Sequence, residues 1–158
     1  MDIINCKIVK LFNVYMYIMI EVEGISLPHK PLTNFELTDA VKKLKIPNFR
    51  GVYMRDQLPN KPNKNECGIL NFDDSKGNGT HWVAWYKKGR NKYYFDSFGV
   101  QPPLELRDYL KSPIYYSTEE IQKRNQVICG HLCLYMLKRL SIGEEPQEII
   151  NNILYRDE

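Results

Sequence analysis

Along the chain, runs of apolar and polar residues change period several times, and each change marks an element. Leu37, Ala40, Val41 and Leu44 fall at i, i+3, i+4 and i+7, one buried stripe of a helix that Pro47 stops. Thr33-Asn34-Phe35-Glu36 ahead of it reads as a capping box, with Leu32 and Leu37 placed for a hydrophobic staple. Phe49 to Lys64 holds Gly51 and two prolines, Pro59 and Pro62, just after Gln57-Leu58 and reads as loop, and Cys67 to Phe72 reads as a short buried strand. After a polar loop with Gly77 and Gly79, two aromatic and β-branched runs, His81 to Tyr86 and Asn91 to Asp96, read as a hairpin around Lys87–Arg90. Pro103 opens a short helix to Leu110, and Ile114-Tyr115-Tyr116 reads as a further strand. Cys129 to about Leu140 is helical, with Leu132, Cys133, Met136, Leu137 and Leu140 buried and Gly143 as terminator. Pro146 starts a last helix carrying Ile149, Ile150, Ile153 and Leu154. Helices at both ends of a largely antiparallel set of strands make the class α+β.

At 158 residues the chain favours one domain and can bury roughly 68–70% of its unfolded surface, so its core needs no metal or disulfide staple. Lys and Arg exceed Asp and Glu by 22 − 19 = +3, too small a bias to argue nucleic-acid binding. Cys6, Cys67, Cys129 and Cys133 include no C-x-x-C pair, which argues against a redox motif or zinc knuckle and for a reducing compartment. The apolar run Leu11–Ile20 is too short to span a bilayer. Glu21-Val22-Glu23 follows it with no small-x-small cleavage site, so it reads as a strand or an upstream extension and not as a secretion signal. Leu27-Pro28-His29-Lys30-Pro31 reads as an extended linker. The expected organisation is an extension and linker over 1–31 and a domain over 32–158. The expected location is the cytoplasm, a nucleus or a particle, with no secretory route and no membrane association.

If the hairpin loop is Lys87–Arg90, Tyr86 pairs with Asn91 and His81 lies directly opposite Asp96. Opposed Cβ atoms stand about 4.5–5.5 Å apart, so the carboxylate can hold one imidazole nitrogen and leave the other outward. Cys129 sits at the expected start of a helix, where free amides and the helix dipole stabilise a thiolate. Gly130 would let a substrate backbone approach. The Cys129 amide and a side-chain amide from upstream, Gln122 or Gln126, can stabilise an oxyanion. Gln122, seven residues before the cysteine, folds back more easily and is preferred. Taken singly, each residue has an ordinary structural reading. Together they fill every role of a cysteine hydrolase. His131 projects from another side of the helix than Cys129, and Cys129, His131 and Cys133 do not converge as metal ligands, so no metal is expected.

The stretches Asn34-Phe35, Leu44-Lys45-Ile46, Phe49 to Tyr53, Asn65 to Asn71, Gly79 to Trp82, Tyr94 to Gly99 and Gln122 to Cys133 together resemble the adenovirus-type cysteine proteases (adenain). They are similar also to the adenain-like proteases of Maverick/Polinton elements and virophages. The His-Trp, Asp-Ser-Phe-Gly and Gln-x6-Cys-Gly elements, in that order, carry the resemblance from about residue 32 to 140. It implies the papain-like fold shared with ubiquitin-like-protein proteases, a mixed sheet against helices with the nucleophile on a buried helix. It implies His81 as base, Asp96 as its partner, Cys129 as nucleophile, Gln122 in the oxyanion hole and Trp82 beside the substrate channel. Adenain carries Glu at the acid position, so Asp96 matches the Maverick and ubiquitin-like-protease form. Family substrates are viral structural precursors cut near small residues. Adenain is stimulated by a disulfide-linked peptide and by DNA. Because no cysteine lies between Cys67 and Cys129, no cofactor is assigned here, and a peptide or DNA activator stays unassigned. The expected function is a monomeric cysteine endopeptidase acting on capsid precursors. The alternatives are a protease for ubiquitin or a ubiquitin-like modifier and an inactive capsid- or DNA-binding relative.

Overall fold

The computed structural model describes residues 4, 5 and 19–155. Cys6 and the run Leu11–Ile20 as far as residue 18 lie outside the described residues. Strand β1 (Ile4–Asn5) pairs with β2 (Met19–Val22), and β2 with β3 (Ile25–Pro28), in a three-stranded antiparallel sheet. Helix α1 (Asn34–Leu44) follows, then β4 (Phe49–Met54), β5 (Asn65–Asn71), β6 (Trp82–Lys88) and β7 (Asn91–Phe95). Helix α2 (Leu104–Leu110), β8 (Tyr115–Tyr116), α3 (Cys129–Ser141) and α4 (Pro146–Leu154) complete the chain. Strands β4 to β8 form one mixed sheet in sequence order, antiparallel at its centre and parallel where β4 joins β5 and β8 joins β7.

Period-two alternation sorts the central sheet into two faces. Cys67, Ile69, Trp82, Ala84 and Phe95 join the core shared with α1, α3, α4 and the β2–β3 hairpin. Leu70, Val83, Trp85 and Tyr94 meet Leu106, Tyr109 and Leu110 of α2 on the other face. The Trp85 ring lies over Gly68, its partner across β5 and β6. A Cβ on Gly68 would stand 2.2 Å from that ring, so this strand position has room for hydrogen alone.

Helix α1 starts as its sequence dictates. The Thr33 hydroxyl accepts from the Glu36 amide and the Glu36 carboxylate accepts from the Thr33 amide, both at 3.1 Å. Helix α3 is buried around nearly its whole circumference, beyond the single stripe its spacing predicts, because sheet, α1, α4 and hairpin enclose it. Its end is a Schellman closure: the Gly143 amide bonds the Leu140 carbonyl and the Glu144 amide bonds the Arg139 carbonyl.

Three expectations change. Phe49–Met54, expected as loop, is the edge strand β4. Its register with β5 shifts between Phe49 and Val52, and all six residues are half-buried, so no alternation marks it. The segment expected to be extension and linker up to Pro31 contains the β2–β3 hairpin, whose Ile20, Val22 and Leu27 enter the core. The hairpin between β6 and β7 turns through Gly89-Arg90 alone, with Gly89 at φ 60° and Lys88 paired with Asn91. This moves the register two residues from the expected one. Carried on, it sets Phe98, and not Asp96, opposite His81.

Candidate active site

A two-residue slip leaves every side chain on its own face, which is why His81 still meets Asp96. His81 immediately precedes β6 and Asp96 immediately follows β7, and the two are diagonal neighbours at the end of the sheet. His81 Nε2 and Asp96 Oδ1 are 2.7 Å apart, and both side chains are nearly buried. The same oxygen accepts the Phe98 amide at 2.8 Å, while the Gly99 amide closes a turn on the Asp96 carbonyl at 2.9 Å. Gly99 sits at φ 72°, and a Cβ there would come within 2.4 Å of the Thr118 carbonyl, so this turn demands glycine. The turn folds the Phe98 ring onto the imidazole, with centroids 4.4 Å apart and planes at 21°. The histidine is thus held by a carboxylate at one edge and an aromatic ring on one face.

Cys129 is the first residue of α3. Ile128 ahead of it supplies no side-chain cap, so the first-turn amides stay available. The thiol is buried, which by itself raises its pKa. A hydrogen bond with the His81 ring and the backbone N–H groups of Trp82 and Gly130 outweigh the burial, and the net shift is downward. Because Nε2 is taken by Asp96, the ring meets Cys129 through Nδ1. Burial alone would lower the His81 pKa, but hydrogen bonds to Asp96 and Cys129, with their negative charge, raise it to about 9. A thiol shifted down beside an imidazole shifted up favours the thiolate–imidazolium pair, an activated nucleophile next to a proton donor. Cys133, one turn on, is fully buried with its pKa raised by desolvation and by the neighbouring Cys129 and Asp96, and it belongs to the core.

Gln122 is buried, and its amide orientation follows from its partners. Its Oε1 accepts from the Ser97 hydroxyl at 2.7 Å, and its Nε2 donates to the Gln126 carbonyl at 2.7 Å. A carbonyl can only accept, so the NH2 end must lie on the Gln126 side, with one N–H left over. The Ser97 carbonyl also accepts the amides of Ile121 and Gln122 and so ties this segment to Asp96. The Gln126 side chain is turned outward and accepts from the Lys123 amide.

Trp82 lines the cleft above Cys129 and donates Nε1–H to the Leu32 carbonyl at 2.7 Å, fixing the wall that leads into α1. At Gly130 the space a side chain would fill is bounded by Leu37 at 3.2 Å and Leu32 at 3.3 Å, so its small size also serves the packing of α3 on α1. His131 is buried away from Cys129, its Nε2 2.8 Å from the Pro28 carbonyl. Burial, the largest influence, lowers its pKa, so the neutral ring donates Nε2–H and ties α3 to the hairpin. Among the described residues no group of three or more His, Cys, Asp or Glu is arranged to hold a metal ion. Nor is any helix among them long and apolar enough to cross a membrane.

The cleft has a volume of about 470 Å³ and is lined by Pro31–Asn34, Val52–Met54, Asn78–Trp82 and Cys129, among others. Sequence reasoning missed the β4 wall, the stacking of Phe98 and the grip of Ser97 on Gln122. The last two lie inside Asp-Ser-Phe-Gly, so the signal was present without the geometry that gives it meaning.

No protein-family model matches the chain. Over 116 residues it is 28% identical to the protease of bovine adenovirus 2, a match covering 70% of this chain and 53% of that protein. The chain therefore spans about half the length of that curated relative. It superposes on the crystal structure of the ASFV pS273R protease with a TM-score of 0.57 at 19% identity, covering 82% of this chain and 64% of that one. The selenomethionine form of the same protease gives a TM-score of 0.56 at 17% identity, covering 82% and 65%. At these identities the likeness is one of fold: an α+β arrangement of mixed sheet and helices common to this chain and that protease.

Proposed function

We propose that this chain is a cysteine endopeptidase that cleaves capsid precursor proteins of a virus or virus-like element. The observation that carries the reading is the His81 ring, bonded through Nε2 to Asp96 and through its other nitrogen to Cys129, in the lining of an open cleft. Similarity to an adenovirus protease and the fold of a second viral protease support it.

In this mechanism the Cys129 thiolate attacks the scissile carbonyl carbon, and the carbon–oxygen π electrons move onto oxygen. The Cys129 amide and the spare N–H of Gln122 hold that oxyanion. Collapse breaks the carbon–nitrogen bond, and the leaving amine takes the proton of the His81 imidazolium. Water then attacks the thioester carbon while His81 removes its proton, and collapse breaks the carbon–sulfur bond, releasing the acid and restoring the thiolate–imidazolium pair. Asp96 keeps the ring in register throughout. The protease would act in the virion or the infected cell, as a monomer, and DNA is a candidate activator.

The test is mass spectrometry of a co-expressed capsid protein with wild type and with Cys129→Ala. Discrete cleavage sites present with wild type and absent with the variant are expected. An intact capsid protein, with cleavage of a ubiquitin-like modifier probe instead, replaces the substrate in this reading. Labelling of native Cys129 by a peptide electrophile no faster than of denatured protein removes the catalytic reading altogether.

A further inference from the structure

Asn71 closes β5 at the end of the sheet where the cleft opens, and it shares its face with its cross-strand partner Trp82. The residue is 3% exposed and lines the cleft that holds Cys129 and His81. Its side-chain oxygen accepts two backbone amides, from Asp73 at 2.9 Å and Thr80 at 3.0 Å. Those two donors fix which end of the amide is which: oxygen toward the 73–80 loop and nitrogen away from it. Nδ2 has no hydrogen-bond partner among the described residues and is not one of their fully buried polar atoms, so its two N–H donors stand open at the cleft in a residue otherwise withdrawn from solvent. Gly79, at φ 88°, lies beside that nitrogen: a Cβ there would stand 3.1 Å from Nδ2 and crowd it.

The cleft lining bears on what these donors would meet. It contains no Asp, Glu, Lys or Arg, and its polar groups are amides, hydroxyls, His81 and Cys129. Such a surface has nothing to pair with a charged side chain and much to offer a main chain. We propose that Asn71 is a substrate-binding residue of this cleft, its side-chain amide donating to a main-chain carbonyl of an extended, uncharged peptide segment laid across Cys129. The proposal rests on the protease reading for the identity of the ligand as a peptide. It predicts that recognition near the nucleophile is read on the backbone and on uncharged residues.

The test separates the donor from the loop anchor and from the nucleophile. Asn71→Asp retains an oxygen for the Asp73 and Thr80 amides and deletes the two N–H donors. In a Cys129→Ala background, the probe is the tightest-binding fluorescent peptide from a library of uncharged decamers. Its Kd should rise about tenfold on adding Asn71→Asp, as for one lost buried hydrogen bond. In the protein with Cys129 intact, iodoacetamide should alkylate Asn71→Asp within about threefold of the wild-type rate, with the same pH dependence. An unchanged Kd, or no peptide bound by the Cys129→Ala protein, overturns the proposal. So does a loss of cleavage matched by an equal loss of alkylation, which would mean that residue 71 acts through the thiolate. A peptide that binds through Asn71 yet is never cleaved by the wild type would leave this inference standing and remove the protease reading.

Discussion

At His81 two influences oppose each other. Withdrawal from water disfavours the imidazolium, while Asp96 on one nitrogen and Cys129 on the other favour it, and the pair of partners prevails. Rising pH first ionises Cys129, whose pKa is lowered, and kcat/KM should climb. Passing about 9 strips the imidazolium that, in the proposed mechanism, protonates the leaving amine, and kcat/KM should fall. Asp96→Asn removes the carboxylate that helps raise the His81 pKa and leaves Cys129 alone to oppose burial. The alkaline limb should then move to lower pH and the peak rate should drop by roughly 10²–10⁴-fold. A pH–rate profile of the variant with an unmoved alkaline limb would deny Asp96 this role. The two glutamines make a matched pair for the oxyanion. Gln122→Ala should lose roughly 2.7–4 kcal/mol of transition-state stabilisation, about 10²–10³ in kcat. Gln126→Ala retains its backbone carbonyl and should stay near wild type. Equal losses in a side-by-side kinetic comparison would reverse that assignment.

At the scale of elements, the site depends on where strands and helices end. His81 and Asp96 flank the ends of β6 and β7, Asn71 closes β5, and Cys129 begins α3. Each is held by a formed element yet reaches the open end of the sheet. Fit between elements is close. Alanine normally suits a strand better than glycine, but at Gly68 the Trp85 ring occupies the added carbon's place. Gly68→Ala should therefore destabilise by about 1–3 kcal/mol or more through overpacking, read as a lower denaturation midpoint at unchanged m-value. A neutral or stabilising result would show that β5 and β6 can separate to make room. α1 and α3 were legible because a capping box, a regular stripe and a terminal glycine mark them locally. β4 was not legible, because a bulge at an edge strand erases the alternation that identifies strands.

At the scale of the molecule, two cores share one sheet, and the N-terminal hairpin closes the larger of them. Arg139 of α3 reaches Glu23 in the hairpin turn as well as Glu144 beyond the helix, and His131 reaches Pro28, so polar ties accompany the apolar ones. Ile20 is 2% exposed in that core. Ile20→Ala should cost about 2–5 kcal/mol, at about 2–4 °C of Tm per kcal/mol for a chain of this size. A substitution in a solvated extension would change stability by under about 0.5 kcal/mol, and calorimetry giving that smaller value would detach the hairpin from the cooperative body. The hairpin escaped sequence reasoning because Leu27-Pro28-His29-Lys30-Pro31 reads as a linker. Only the helix it covers explains its apolar residues.

The amino-acid sequence by itself determined what is local: the cap and stripe of α1, the start and stop of α3, the hairpin of β6 and β7, and the residue types that could share a proton. Parity did the rest for His81 and Asp96, since a period-two strand keeps its faces under any even slip. Tertiary structure alone decided what depends on distant segments meeting. It turned Gly130 toward α1, stacked Phe98 on His81, aimed Gln122 through Ser97, raised β4 and Asn71 as cleft walls and drew the hairpin into the core. Those outcomes are set by which surfaces exclude water together, and no window of neighbouring residues contains that information.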